Sequence, residues 1–265
     1  MNAYVHGYSA RETKRLKDQA NTLVNLLHSG TKYPAGANVL EAGCGTGSQT
    51  VTLAAGSPLA NFTCVDVSRD SLCKALEKMG ELGLANIKFV EGDIFDLPFP
   101  DECFDHVFVC FVLEHLSEPL RALASLKRVL KKDGSITVIE GDHGSAYFYP
   151  PSEPAQKAIQ CQIGLQAAMG GNSLIGREVS PLLLQAGFRR ISVKPKMVYA
   201  EGRSALGNGF TRKTFTAMIE GVREQAIAQG MTDRETWDEG VRGLYRTSEP
   251  DGVFCYTFFK GKAIK

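Results

Sequence analysis

The feature that most restricts the fold of this chain is a short apolar strand that runs directly into a glycine-rich turn. Val39-Leu40-Glu41-Ala42 precedes Gly43-Cys44-Gly45-Thr46-Gly47, and a helix is predicted to leave the turn over residues 48–55. Glycine allows a tight turn and lets the backbone approach a ligand closely. The N-terminus of the following helix offers unpaired N–H groups and a partial positive charge. The motif therefore predicts a ligand site at the end of the first strand, suited to a phosphate or a carboxylate.

Strands and helices alternate in the sequence from Asn38 to about Gly141. After the glycine-rich turn, apolar runs predict four further strands, at Asn61–Val67, Ile87–Val90, Phe104–Cys110 and Ser135–Glu140. Apolar residues at helical spacing predict helices between them, at Ser71–Leu82 and Pro119–Leu130. This alternation is typical of a doubly wound α/β fold with a parallel sheet.

The segments outside this alternation follow a different pattern. A helix is predicted ahead of it, at Ala10–His28. Beyond it, the predicted helices are Ala155–Met169, Ser180–Ala186, Arg212–Gln229 and Glu235–Tyr245, and the predicted strands are Ile191–Tyr199 and Val253–Phe259. A chain of 265 residues is long enough for one large domain and short for two independent ones.

Charge and composition argue against several classes of partner. The net charge is +1, so no basic surface for nucleic acid or anionic membranes is expected. No apolar run approaches the ~20 residues needed to cross a bilayer. The seven cysteines are odd in number and lack CxxC spacing, which favours buried free thiols over disulfides or a zinc site. We expect a cytoplasmic protein without a metal site, a membrane span or a nucleic-acid partner.

Glu41 narrows the choice of ligand at the glycine-rich turn. A carboxylate beside the turn would repel a pyrophosphate, whereas it suits a ligand that carries a cationic group. A dinucleotide-binding fingerprint would place a third glycine at position 48, where this chain has Ser48. The turn also lacks the GK[ST] ending of nucleoside-triphosphate loops. A nicotinamide oxidoreductase and a P-loop enzyme are therefore disfavoured.

Two further acidic residues follow the next two strands. Asp66 ends the second strand, about 20 residues past the turn, where a carboxylate can accept both hydroxyls of a ribose. Asp93 follows the third strand and can accept from an adenine amino group, while Ile94 can pack on the ring. Ligands of such sheets bind at the carboxyl ends of the strands. We therefore expect these residues to share one site with Cys110-Phe111, which follow the fourth strand.

This array resembles the class I S-adenosylmethionine (SAM)-dependent methyltransferases, in particular the small-molecule group similar to ubiquinone and menaquinone biosynthesis methyltransferases. The resemblance covers Asn38 to about Gly141, and it includes Phe104-Asp105-His106-Val107, Leu113-Glu114-His115-Leu116 and Leu130-Lys131-Lys132-Asp133-Gly134. It implies a Rossmann-like doubly wound sheet of seven strands, the last one antiparallel, with helical cap insertions. It also implies SAM as the cofactor and methyl transfer by in-line displacement to an O, N, S or C atom of a small-molecule acceptor.

The resemblance assigns each candidate residue to a part of the cofactor. The expected contacts are Glu41, Gly43, Gly45 and Gln49 with the methionine part, Asp66 with the ribose, Asp93 and Ile94 with the adenine, the backbone of Cys110 and Phe111 with the sulfonium, and Tyr8 as a cover over the cofactor. We expect one domain over residues 1–265, with a cofactor-binding core at 36–143. The segments 1–30, 144–178 and 201–248 are expected to cap the pocket and select the substrate.

His143 is the candidate catalytic residue, because it follows the fifth strand at the edge where ligands bind. A histidine there can act as a general base or can orient the substrate, and the sequence leaves both roles open. The sulfonium already activates the methyl group, so a base is needed only when the acceptor loses a proton during the attack. His115 and Glu114 are expected to pack at the start of a helix instead.

Two other functions are compatible with the same cofactor array. A catalytically silent, methyltransferase-like subunit would bind SAM without turnover. An aminopropyl transferase would use decarboxylated SAM, but it needs acidic residues after the fourth strand, where this chain has Cys110-Phe111-Val112-Leu113. The same four residues differ from the acidic or Asn residue and two prolines of methyltransferases that act on base amines, which disfavours a nucleic-acid substrate. Neither the acceptor nor the oligomeric state follows from the sequence.

Overall fold

The computed structural model describes residues 10–265, except for the side chains at 10–14, 16, 17 and 21. In this part of the chain, seven strands form one sheet in the order β3-β2-β1-β4-β5-β7-β6. The strands are β1 (Asn38–Ala42), β2 (Asn61–Asp66), β3 (Ile87–Glu91), β4 (Phe104–Cys110), β5 (Leu130–Tyr149), β6 (Arg189–Glu201) and β7 (Val253–Ile264). The first five strands pair in parallel, and β7 is antiparallel to both β5 and β6. The expected Rossmann-like sheet with an antiparallel last strand is confirmed.

Helices connect these strands and cover the sheet. They are α1 (Ala10–Leu27), α2 (Thr50–Gly56), α3 (Arg69–Glu81), α4 (Pro119–Val129), α5 (Glu153–Ala168), α6 (Val179–Gln185), α7 (Ala217–Glu220), α8 (Arg223–Ala228) and α9 (Arg234–Arg246). Two 3-10 turns lie at Leu113–His115 and Ile175–Glu178, and a π-helix spans Gly207–Thr216. Polar side chains start three of the helices, because the residue ahead of each accepts a backbone N–H of the first turn: Ser68 for α3, Ser152 for α5 and Asp233 for α9. None of the helices described is long and apolar enough to cross a membrane.

Two hydrophobic cores lie on opposite faces of the sheet. Side chains alternate along a strand, so Val39 and Phe108 face one core, which α1 and α5 close. Leu40 and Val107 face the other core, which α4 and α6 close. This arrangement buries the central strands on both faces and holds their carboxyl ends in fixed positions, where the candidate site lies.

Strand β5 is longer than the apolar pattern predicts, since it runs to Tyr149 instead of ending at Glu140. The extension pairs with the start of β7, with Tyr147 opposite Cys255 and Tyr149 opposite Val253. Residues 144–149, expected to belong to the cap, are therefore part of the sheet. Tyr147 and Tyr149 are exposed.

The segment after β6 differs from the single helix expected at Arg212–Gln229. It begins earlier, as the π-helix Gly207–Thr216, and continues as the two short helices α7 and α8. The π-helix packs against α1, so two of the three segments expected to cap the pocket contact each other. π-Helical hydrogen bonding is rare and often marks a functional site.

Candidate functional site

The glycine-rich turn between β1 and α2 needs glycine for two different reasons. Gly43 has a φ of +74°, and a Cβ there would lie 2.4 Å from Val112 Cγ2. The loop after β4 thus packs directly on the turn and leaves no room for a side chain. Gly45 has a φ of +52°, but no atom lies within 4 Å of where its Cβ would stand. Its backbone therefore borders open space at the end of the sheet.

Glu41 lies beneath this turn with only 3% of its surface exposed. Its carboxyl accepts hydrogen bonds from Thr50 Oγ1 at 2.7 Å and from Cys64 Sγ at 3.3 Å. Burial raises the pKa of Glu41 to about 7, although these two hydrogen bonds oppose the shift. The side chain ties β1 to α2 and β2, and its expected contact with the methionine part of the cofactor stays a prediction.

Asp66 is placed at the end of β2, directly beside the turn. Its Oδ2 accepts from the backbone N–H of Gly45 at 2.8 Å, and its Oδ1 accepts from that of Ser68 at 2.9 Å. Burial raises the pKa of Asp66, whereas these backbone hydrogen bonds lower it. Each carboxylate oxygen can accept more than one hydrogen bond. The carboxylate is therefore held in place and still has acceptor capacity for a diol.

The residues expected at the adenine directly follow β3, the strand next to β2 in the sheet. Asp93 is exposed, and its Oδ1 accepts from the backbone N–H of Phe95 at 2.9 Å, which closes a tight turn. Ile94 is 8% exposed and packs in the core with Leu97 and Val65. Only part of its surface can therefore face a ligand.

Gln49, at the start of α2, contacts His28, which directly follows α1. Its Oε1 lies 2.6 Å from His28 Nε2, and the His28 ring stacks on Phe108 with centroids 5.6 Å apart. Burial lowers the pKa of His28, so the ring is neutral at pH 7 and donates to Gln49 through Nε2. The amide nitrogen of Gln49 remains a donor for a carboxylate. This contact links the first cap segment to the start of α2.

The loop after β4 is shaped by a buried carboxyl group on β5. Phe111 has a φ of +58° and donates its backbone N–H to Ile139, while Cys110 is buried. Glu140 Oε1 accepts from the backbone N–H groups of Val112 and Leu113 at 3.1 and 2.8 Å. Burial raises the pKa of Glu140 well above its usual value. The Oε2 atom has no hydrogen-bond partner among residues 10–265, so Glu140 holds the loop through Oε1 alone.

His143 lies within the extended strand β5, where it is 6% exposed. Its Nε2 is 3.3 Å from Met218 Sδ, and its Nδ1 is 3.0 Å from the hydroxyl of Tyr256 on β7. Burial lowers the pKa of His143 to about 4, so the imidazole is neutral at pH 7. A neutral imidazole can accept a proton, which keeps the expected role as a base open, but both ring nitrogens already have neighbours.

One cavity joins His143 to the loop after β4 and to two of the segments expected to form a cap. Its walls combine the carboxyl edge of the sheet, α1 and the π-helix region, and they comprise Arg15, Gln19, Phe111, Glu114, His115, Gly141, His143, Phe210, Thr214, Phe215, Met218, Tyr256 and Phe258. The cavity measures about 60 Å³. That is less than the roughly 150 Å³ that holds benzene in a protein interior. A molecule with a ring is therefore larger than this volume.

The structure brings most of the predicted site residues to one edge of the sheet, because the strands that carry them are parallel neighbours. Tyr8 lies outside the described residues. Sequence reasoning did not single out Tyr256, which lines the cavity, or Val67, an apolar residue that is 45% exposed directly after Asp66. The alternation of Phe254, Tyr256 and Phe258 along β7 was an available signal, since it puts a phenolic hydroxyl on a face otherwise made of phenylalanine.

The residues at this edge fit a SAM molecule on three observations. The turn has open space at Gly45, Asp66 keeps acceptor capacity beside it, and a cavity reaches Phe111 from the cap side. No group of three or more His, Cys, Asp or Glu side chains able to hold a metal ion occurs in the described part of the chain.

Known proteins are similar to part of this chain. The family described as a methyltransferase domain matches residues 40–138. An uncharacterized methyltransferase of Schizosaccharomyces pombe is 35% identical over 147 residues, which are 53% of this chain and 52% of the relative. A demethylmenaquinone methyltransferase of Listeria monocytogenes is 34% identical over 106 residues, 40% of this chain and 45% of the relative. The chain thus spans about half the length of these curated relatives.

Solved structures share the fold across nearly the whole chain. The YcgJ protein of Bacillus subtilis is 19% identical and superposes with a TM-score of 0.58 over 96% of this chain and 98% of its own. Phosphoethanolamine N-methyltransferase 2 of Haemonchus contortus, solved with SAM, is 18% identical with a TM-score of 0.57, over 94% of this chain and 52% of its own.

Residues 40–138 thus match the methyltransferase-domain family, and the strand order of the described sheet is the one expected for a Rossmann-like methyltransferase fold. The chain also resembles a methyltransferase of quinone biosynthesis, as the sequence motifs indicated.

Proposed function

We propose that this protein transfers a methyl group from SAM to a small-molecule acceptor that binds under the cap. The observation that carries the proposal is the cavity itself. It is lined on one side by Phe111 and His143 at the carboxyl edge of the sheet, and on the other by Phe210 and Met218 of the cap. An acceptor in this cavity lies beside the loop that packs on the glycine-rich turn.

The cofactor is proposed to lie along the carboxyl ends of β1, β2 and β3. Asp66 accepts the ribose hydroxyls with the lone pairs that Gly45 and Ser68 leave free. Asp93 and Ile94 border the adenine, and Val67 adds an exposed apolar surface next to them. The methionine part extends over Gly43 and Gly45 toward Gln49, and its sulfonium lies beside the backbone of Cys110 and Phe111. Glu41 supports the turn from beneath.

When bound, SAM supplies a methyl group on a positively charged sulphur. The protein's own residues then have two tasks, alignment of the acceptor and exclusion of water. Alignment of two reactants in a near-attack geometry can contribute about 7–11 kcal/mol to lowering a barrier. The aromatic walls at Phe111, Phe210, Phe215 and Phe258 exclude water from the transfer, and His143 is placed to take a proton from the acceptor.

We further propose that the whole chain, 1–265, is one domain with its core at 36–143, and that it acts in the cytoplasm on small molecules without nucleic acid. The support is the free state of all seven cysteines, which suits a reducing compartment, and the net charge of +1.

Methyl-labelled SAM and an extract of cellular small molecules test the proposed function. We expect label in the low-mass fraction together with S-adenosylhomocysteine (SAH), both dependent on the protein. The substitution Asp66→Ala should lower the transfer strongly at limiting SAM, whereas Asp70→Ala, which removes an exposed carboxylate four residues further on, should not. SAM binding without any labelled product or SAH would favour the catalytically silent reading.

A further inference from the structure

The cavity between the sheet edge and α1 is lined by charged side chains as well as by aromatic ones. Arg15 and Gln19 of α1 line it, and so do Glu114 and His115 of the 3-10 turn after β4. Arg15 and Glu114 are each only 8% exposed. Burial of a charge costs free energy unless polar groups surround it. Charged side chains around so small a cavity therefore indicate that part of the ligand is polar.

The guanidinium group of Arg15 is oriented by a neighbour one turn further along α1. Arg15 Nη1 donates to Gln19 Oε1 at 3.1 Å, and this acceptor belongs to a neutral amide. A guanidinium carries five N–H donors in a planar fork, so it can serve several acceptors at once. The contact with Gln19 therefore fixes the direction of the side chain without balancing its charge.

The acidic side chain of the cavity lies beside a basic one. Glu114 Oε1 is 3.6 Å from His115 Nε2. Both Glu114 and Arg15 act on His143: burial lowers the pKa of His143 to about 4, with Glu114 opposing this shift and Arg15 adding to it. A cationic ligand would find a basic ring already beside the acid, whereas an anionic ligand would find a guanidinium. The charges of the cavity therefore favour an anionic ligand.

The following inference rests on the proposed methyl transfer. We propose that the acceptor is an aromatic or apolar molecule that carries a carboxylate, and that Arg15 recognises this carboxylate. The planar fork of a guanidinium matches the two oxygens of a carboxylate and can bind both of them. The apolar part of the acceptor lies against Phe210, Phe215 and Phe258, which also line the cavity.

This arrangement holds the acceptor at two ends. Its carboxylate is bound by α1, and its apolar part by the π-helix and β7, which carry the three phenylalanines. Arg15 is therefore a specificity-determining residue that selects among molecules of similar shape by their polar group. Its loss should weaken binding of the acceptor and leave the binding of SAM unchanged.

Benzoate, benzamide and benzylamine test this inference, because they carry an anionic, a neutral and a cationic group on the same ring. The three probes share any cost of opening the cavity for the ring, so the ratios of their dissociation constants report on the polar group. In ligand-detected NMR titrations of the wild type, we expect benzoate to bind about tenfold more tightly than benzamide, and benzylamine to bind least tightly.

Variants of Arg15 and a matched control assign this preference to one side chain. Arg15→Gln should bring the ratio of benzoate to benzamide affinity close to one, and Arg15→Lys should keep part of the preference because it keeps the charge. Arg121→Gln removes an exposed guanidinium on α4 and should leave the ratio unchanged. If Arg15→Gln does not fold, Gln19→Leu takes its place, since it removes the acceptor that orients Arg15, and it should lower the preference roughly threefold.

Equal binding of benzoate and benzamide to the wild type would overturn the inference, and so would tightest binding of benzylamine or no binding of any probe. A preference for benzoate that persists in folded Arg15→Gln, or is unchanged in Gln19→Leu where that variant is needed, contradicts it as well. The titrations are repeated with SAH, because benzoate bound beside Gln49, at the proposed place of the cofactor's own carboxylate, would be released by SAH. Such release contradicts the role of Arg15. The ratio in the free protein depends neither on SAM nor on turnover, so its failure and the failure of the proposed function are distinguishable.

Discussion

The buried carboxyl of Glu41 makes the stability of this protein depend on pH. Its pKa is about 7 in the folded protein and near 4.5 in the unfolded chain. The folded state therefore binds more protons between these pH values, and the free energy of unfolding falls as the pH rises through them. This loss amounts to about 3 kcal/mol at pH 8.

The substitution Glu41→Gln should remove this pH dependence, because an amide does not titrate. We expect the variant to gain up to about 3 kcal/mol over the wild type between pH 5 and pH 8, measured by urea unfolding. The exposed Glu77→Gln serves as the control and should follow the wild type. If the free energies of unfolding of Glu41→Gln and the wild type change with pH in parallel, the buried carboxyl group stays ionised and the account of Glu41 is wrong.

At His143 the chemical and the structural role predict different results. If the imidazole takes a proton from the acceptor, His143→Ala should lower turnover by about 10²–10⁴. SAM affinity should stay close to that of the wild type, and the acid limb of the rate profile, expected near pH 4, should disappear. His106→Gln is the control, since His106 pairs with Ser135 at the start of β4. Unchanged turnover, or joint loss of stability and SAM binding, would contradict the chemical role.

At the scale of elements, the strand–turn–helix unit depends on the close contact between Gly43 and Val112. Both Gly43→Ala and Gly45→Ala force alanine into a positive φ, which costs about 1–2 kcal/mol. Only Gly43→Ala also forces its Cβ to within 2.4 Å of a valine methyl group. We expect Gly43→Ala to lose about 1–3 kcal/mol more than Gly45→Ala in urea unfolding without ligands. Equal losses would mean that the loop after β4 yields easily.

The cap elements should respond when the pocket fills. Because the cavity is smaller than a molecule with a ring, we expect α1 and residues 207–220 to open and close around an acceptor of that kind. With SAH and an acceptor bound, amide hydrogen exchange in α1 and residues 207–220 should slow on the order of tenfold, because the ligands stabilise the closed state of these elements. Exchange in the exposed strand β6 provides the control. If only residues 43–49 gain protection, the segments 144–178 and 201–248 are packing elements and not a cap.

The elements that sequence patterns predicted best are those with local signals. Strands β1 to β4 and the helices between them follow from apolar runs separated by Gly and Asp turns. The extension of β5 to Tyr149 could not be predicted in this way, because its partner strand begins more than 100 residues later, at Val253. The π-helix likewise depends on its contact with α1, and no local residue pattern specifies it.

At the scale of the whole molecule, the sequence predicted the residues at the carboxyl ends of β1 and β2 better than those that line the cavity beside β5 and β7. Asp66 and Gly45 are neighbours because β1 and β2 are parallel, and any doubly wound sheet would bring them together. Tyr256 and His143 meet only because β7 inserts antiparallel beside β5. The proposed cofactor side of the site is therefore a property of the fold class, whereas the proposed acceptor side belongs to this particular chain.

The central claim, a SAM site at the carboxyl edge of the sheet, is tested most directly by calorimetric titration of the purified protein. SAM should bind, while decarboxylated SAM and NADH should bind far more weakly or not at all. Asp66→Ala should weaken SAM binding by about 1.5–3 kcal/mol, because a hydrogen bond to a charged group is lost, and Asp70→Ala should not. No detectable binding of SAM or SAH to the folded wild-type protein would contradict the account.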